Sequence, residues 1–145
     1  MKAFFDTSVL VAVFYKAHQH HEPSFELFVA QPAALQRRSA STAAHCLAEV
    51  YSTLTGMPGK DRVSGDEALL FLGNIRERLT IVTLDPMEYF AAVESAAALG
   101  VTGGGIYDAL IARCALKAKA QSIYTWNVQH FRRLGPETAA RVKTP

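Results

Sequence analysis

The stretch Lys2-Ala3-Phe4-Phe5-Asp6-Thr7-Ser8-Val9-Leu10 decides how this chain is expected to fold. An apolar run stops at a carboxylate, two hydroxyl residues follow, and a second apolar run extends from Val9 to Val13. The pattern predicts a short buried strand, Ala3–Phe5, that delivers Asp6 to its carboxyl end. Thr7 or Ser8 then caps a helix carrying Leu10, Val11 and Phe14. A carboxylate in that place faces the crevice where open α/β sheets bind ligands. Asp is also a favoured helix cap, so Asp6 alone leaves two readings open, cap or ligand.

Outward from this start, strands and helices alternate. Ala17 to His21 is a polar linker with His18, His20 and His21, whose close spacing sends the rings in divergent directions and predicts a solvated loop. Pro23 suits a first helical turn, with Phe25, Leu27, Phe28 and Val29 as the apolar face. A second strand is expected near Arg38-Ser39-Ala40. Ser41 or Thr42 then opens a helix, Ala43 to Leu54, with Leu47, Val50, Tyr51 and Leu54 inward. Asp66 to Arg78 reads as a helix with Ala68, Leu69, Phe71, Leu72 and Ile75 inward, and Leu79 to Leu84 as a strand. Asp85-Pro86 starts a helix that ends at Gly100 and carries Tyr89, Phe90, Val93 and Ala97 as its stripe. After the glycines of Val101 to Gly105 come a helix, Ile106 to Lys119, and a strand, Ala120 to Thr125. Val128 to Leu134 is a turn or short helix, and Ala139 to Lys143 a final edge strand. This alternation predicts an α/β fold with a mostly parallel sheet and helices on both faces.

Composition sets the limits. The 145 residues, half of them hydrophobic, suit a single domain spanning 1–145 with one sizeable core. No apolar run is long enough to cross a bilayer, and Asp6 interrupts anything resembling a signal peptide, so a cytoplasmic protein is expected. Cys46 and Cys114 sit among Ala and Leu in helical patterns and read as small buried apolar residues. The net charge of +2 is uneven. From Gly105 onward, Arg113, Lys117, Lys119, Arg132, Arg133, Arg141 and Lys143 face only Asp108 and Glu137. A basic C-terminal third fits a polyanionic partner such as nucleic acid, and equally an ordinary solvated helix face.

Of the 13 acidic residues, Glu22, Glu26, Asp66, Glu67 and Asp85 lie at helix starts, where the dipole favours them. Asp6, Glu49 and Asp108 have no such surface explanation. Asp6 follows a buried strand, Glu49 interrupts a helix of Ala, Leu, Val and Cys, and Asp108 stands in Ile106-Tyr107-Asp108-Ala109-Leu110-Ile111-Ala112. Asn127, past the strand ending at Thr125, makes a fourth polar position. Carboxylates buried in apolar surroundings need partners, and a shared hard cation would be one. Its waters act as nucleophiles on phosphate esters.

These residues carry a resemblance. Phe5-Asp6-Thr7-Ser8, Ala48-Glu49-Val50-Tyr51, Tyr107-Asp108-Ala109-Leu110-Ile111-Ala112, and Tyr124-Thr125-Trp126-Asn127 with His130-Phe131 occur in the order of the PIN-domain ribonucleases. Over its whole length the chain resembles a bacterial toxin of the VapC type. The resemblance implies a three-layer α/β/α sandwich and an endoribonuclease that needs Mg²⁺ or Mn²⁺. Asp6 and Asp108 would be the principal metal ligands, and Glu49 would hold a water of the metal or complete the acidic cluster. Asn127 stands where many members have Asp, which weakens any second metal site. Thr7 and Thr125 would orient the carboxylates, while Arg113, Lys117 and Arg132 would contact the RNA backbone. The implied partners are RNA, a small antitoxin whose tail covers the acidic cleft, and a second copy in a homodimer. Two other readings compete: a PIN-fold RNA-binding protein without catalysis, and a receiver-like phosphoacceptor at Asp6. The second wants a lysine ending a late strand, where this chain has Thr125-Trp126-Asn127.

Overall fold

A computed structural model describes residues 2–145. Five strands form one parallel sheet in the order β3-β2-β1-β4-β5. They are β1 (Ala3–Phe5), β2 (Ala40–Ala43), β3 (Thr80–Val82), β4 (Ser122–Tyr124) and β5 (Val142–Lys143). β1 and β2 are buried at every residue, whereas β3 and β5, at the two edges, are partly exposed. A parallel sheet needs helical crossovers, and eight helices supply them: α1 (Thr7–Phe14), α2 (His21–Val29), α3 (Ala44–Thr55), α4 (Gly65–Arg78), α5 (Pro86–Ala98), α6 (Gly105–Lys117), α7 (Val128–Arg132) and α8 (Pro136–Ala139). The chain builds outward from β1 through β2 to β3, then returns to place β4 on the other side of β1. With right-handed crossovers this reversal puts helices on both faces and opens a crevice between the carboxyl ends of β1 and β4. Asp6 and Asn127 leave the sheet at that point.

The expected architecture is therefore present, with local corrections. β2 runs over Ala40–Ala43 rather than 38–40, because residues 35–37 form a 3₁₀ turn. Ser41 and Thr42, expected as helix caps, belong to this strand. The Thr42 hydroxyl donates to the Phe5 carbonyl at 2.7 Å, which satisfies it inside the sheet. Ala43 occupies the cap position of α3 with no side-chain bond. The cap of α1 is Asp6 itself, accepting from the Ser8 amide, rather than Thr7 or Ser8.

Several helices are also rotated from the expected phase. α2 buries Ser24 and Phe28 and leaves Phe25 and Val29 exposed. α3 buries Cys46, Val50 and Leu54 and turns Tyr51 outward, and α4 buries Ala68 and Ile75 but exposes Leu69. In α5 the inward residues are Ala92 and Ala96, and Tyr89, Phe90 and Val93 face out. Small side chains let α5 lie close to α6, and burial there goes to the alanines. The Asp85–Glu88 capping box that starts α5 has both reciprocal bonds, at 2.8 and 3.0 Å.

Candidate active site

β1, α1, α3, α6 and the turn after β4 bring Asp6, Glu49, Asp108 and Asn127 to one cleft of about 420 Å³. Asp6 is 1% exposed, yet among the described residues no Lys, Arg or His lies within ion-pairing distance of it. Hydroxyls hold it in place. Thr125 Oγ1 donates to Asp6 Oδ2 at 2.7 Å and Ser8 Oγ at 2.8 Å, and the Ser8 amide approaches the same oxygen at 3.4 Å. All three converge on Oδ2, which leaves Oδ1 as the oxygen available to a ligand. Burial pushes the Asp6 carboxyl above its ordinary range, against the pull of those hydrogen bonds.

Asp108 sits in the first turn of α6, where the glycine-rich 102–105 segment leads into the helix. Its carboxyl is raised to about 6, first by burial and then by the negative charges of Asp6 and Glu49, with His130 opposing. His130 Nδ1 stands 3.6 Å from Asp108 Oδ2. Glu49 is held from α1: Thr7 Oγ1 donates to its Oε1 at 2.7 Å, and His45 Nε2 lies 3.6 Å from Oε2. Thr7 and Thr125 thus each orient one carboxylate. Asn127 is exposed and lines the cleft, and its backbone N–H donates to Thr125 Oγ1 at 2.9 Å.

The donor set suits a hard divalent cation. A buried, unpaired carboxylate and two acids that repel one another are what such an ion would relieve. Among the described residues no three His, Cys, Asp or Glu side chains close a coordination shell on their own.

The basic residues expected to touch RNA do not gather there. Lys117, at the far end of α6, bonds Glu88 Oε1 at 2.7 Å and the Thr83 carbonyl at 2.8 Å. Arg113 lines a small hollow between α5 and α6, and Arg132 is exposed on α7. Conversely, the cleft includes residues to which the sequence assigns no part in the site: His18, Gln19, His20, Thr53 and Trp126. The cluster of histidines was the available signal. Only the fold shows that the loop carrying them returns to the acidic cleft, while His21 turns away to the Ala12 carbonyl at 2.8 Å. Both cysteines are buried and free. Burial pushes the Cys46 thiol up to about 12, so it is an inert core group.

A family model described as the PIN domain matches residues 3–135. The chain belongs to the PIN-domain family. This PIN domain is 33% identical over 116 residues to ribonuclease VapC40 of Mycobacterium tuberculosis, a match covering 80% of each chain. In fold it is similar to VapC20 of Mycobacterium tuberculosis, described as a toxin that cleaves the sarcin–ricin loop. The TM-score is 0.70 at 18% identity, over 89% of this chain and 92% of that one. It is also similar to VapBC2 from Rickettsia felis, solved with a DNA fragment of its promoter, with a TM-score of 0.66 at 18% identity over 99% and 98% of the two chains. At that identity the structural matches show a common fold. Among the described residues of this PIN domain, no helix is long and apolar enough to cross a membrane.

Proposed function

We propose that this chain is a divalent-cation-dependent endoribonuclease, the toxin of a toxin–antitoxin pair, with residues 1–145 acting as one PIN-like domain in the cytoplasm. The observation that carries the reading is Asp6, a buried carboxylate that has no cationic partner among the described residues and shares a cleft with Asp108 and Glu49. Kinship with ribonuclease VapC40 supports a nuclease, and the likeness to VapBC2 supports an antitoxin partner. Three carboxylates in one cleft favour catalysis over a PIN-fold RNA-binding protein that has lost it.

Asp6 Oδ1 and the Asp108 carboxylate would hold Mg²⁺ or Mn²⁺, and Glu49 would complete the acidic cluster. Bound there, the cation supplies Lewis-acid activation of water and neutralises charge on the scissile phosphate. The chain's own residues then set geometry. Thr125 and Ser8 fix Asp6 through Oδ2, and Thr7 fixes Glu49 so that it can orient a water for in-line attack. Asn127 offers an amide oxygen with no charge, so a second cation would bind weakly. Arg132, on the helix that begins just after Asn127, would contact the RNA backbone, whereas Arg113 and Lys117 lie further along α6 and do not line the cleft.

The antitoxin would lay a tail over the cleft, where a cationic side chain relieves the same unpaired charge. α5 turns Met87, Phe90 and Val93 outward at intervals of three, and this apolar stripe supports a homodimer. The decisive experiment is RNA cleavage by the purified protein in Mn²⁺, beside Asp108→Asn. Loss of cleavage in the variant, with an unchanged fold, is expected. Equal activity in variant and parent would sink the assignment.

A further inference from the structure

Trp126 is the single tryptophan of the sequence. It stands between Thr125, which bonds Asp6, and Asn127, at the edge of the acidic cleft. Its position is fixed at two points. The backbone amide donates to Ser8 Oγ at 2.9 Å, and the indole Nε1–H donates to Ser24 Oγ, also at 2.9 Å. Ser24 is fully buried, so the indole is anchored to the core by its polar end.

The His20 imidazole lies flat against this indole, with ring centroids 3.7 Å apart and planes 8° from parallel. The next ring, His18, is 5.6 Å from His20 and tilted by 43°, too far and too inclined to continue the stack. The ordered stack therefore ends at His20. Both rings of the pair line the cleft and are only half-buried. Interior packing alone does not call for a rigid, part-exposed planar pair on the wall of an acidic cleft. Nucleobases are recognised on such surfaces, because every base has a π-face and stacking on an aromatic ring tolerates sequence.

We propose that the His20–Trp126 pair is a base platform. An unpaired nucleotide stacks on it and so seats its neighbouring phosphate over Asp6, Asp108 and Glu49. The inference rests on the endoribonuclease reading and deepens it, giving the site a preference for unpaired nucleotides and, by stacking area, for purines. His20 and Trp126 are specificity-determining residues in this role, distinct from the acids.

Because there is one tryptophan, its fluorescence reports directly on the platform. The full-length protein in EDTA is titrated with single-stranded octaadenylate, and separately with an abasic ribophosphate oligomer of equal length and charge. Octaadenylate is expected to quench Trp126 saturably, and the abasic oligomer to leave it unchanged. His20→Ala should weaken octaadenylate binding about tenfold, in line with the loss of one stacked base, and His20→Phe should restore it. In Mn²⁺ the same loss should appear in KM with kcat retained. Equal quenching by both oligomers, or unchanged affinity in His20→Ala, would overturn the platform. The two readings fail separately. Base-dependent quenching without cleavage in any divalent cation removes the nuclease and keeps the platform. Cleavage without base-dependent quenching does the reverse.

Discussion

Thr125 Oγ1 donates a 2.7 Å hydrogen bond to Asp6 Oδ2, joining the carboxyl ends of the two neighbouring strands β4 and β1. The same hydroxyl accepts from the Asn127 amide, so one threonine sets both the orientation of the buried acid and the turn that follows. Thr125→Val keeps the shape and removes the donor. Outer groups that orient ligands typically change metal affinity by about 10- to 100-fold. The Mn²⁺ concentration giving half-maximal cleavage should rise by that order, and an unchanged value would show that Ser8 alone suffices to hold Asp6.

Asp6→Asn should separate activity from stability. Burial raises the Asp6 carboxyl, and no cationic group among the described residues offsets its charge. The amide retains a hydrogen-bond acceptor, and Asn caps a helix about as well as Asp. Cleavage should vanish while Tm in EDTA is equal to or above that of the parent. A fall of several degrees would mean that the charge itself holds α1 in place.

The pH response follows from the same two acids. Asp108 is raised to about 6 and Asp6 is raised as well, so both bind protons more readily folded than unfolded. The stability they contribute is complete below their unfolded values near 3.8 and is lost as pH rises through the folded values. Cation-free protein should therefore gain Tm on acidification from about pH 7 to about pH 5. The gain should disappear in the Asp6→Asn/Asp108→Asn double variant. Cleavage should show an acidic limb that moves to lower pH as Mn²⁺ is increased, because protons and cation compete for the same oxygens.

Lys117 looked in the sequence like an RNA contact, but its ammonium is bound to Glu88 and the Thr83 carbonyl at the far end of α6. Lys117→Ala should leave Tm almost unchanged, because an exposed pair in water contributes little. The salt dependence of RNA binding should keep its slope. A slope shallower by about one unit would place Lys117 on the RNA after all.

How much was legible follows from how local each signal is. β1 was readable to the residue because an apolar strand, an acid and a cap are contiguous in residues 3–8. The capping box at Asp85 and Glu88 was half visible for the same reason, through Asp85-Pro86. Ser41 and Thr42 misled, since hydroxyl residues ahead of an apolar helix look like caps, and only the Phe5 carbonyl across the sheet shows that Thr42 has a strand partner. In α5, ranking residues by size pointed Tyr89 and Phe90 inward, yet Met87 is 83% exposed and Ala92 only 3%. Close helix packing selects small residues, and the large apolar ones are left on the outer face. The acids of the cleft could be chosen by their surroundings, whereas His20 and Trp126 meet across 105 intervening residues. No local pattern encodes such a contact.

That separation in sequence also governs when the protein can act. Ala3 pairs with Ser122 and Phe5 with Tyr124, so the innermost strand gains its second neighbour only after nearly the whole chain exists. Thr125 arrives later still. A ribosome making this chain therefore releases the amino-terminal acid long before the hydroxyl that aims it, and contacts so distant in sequence form slowly. For an enzyme directed at RNA, the order of synthesis means that the cleft is complete only once Trp126 and Asn127, which line it, have been made.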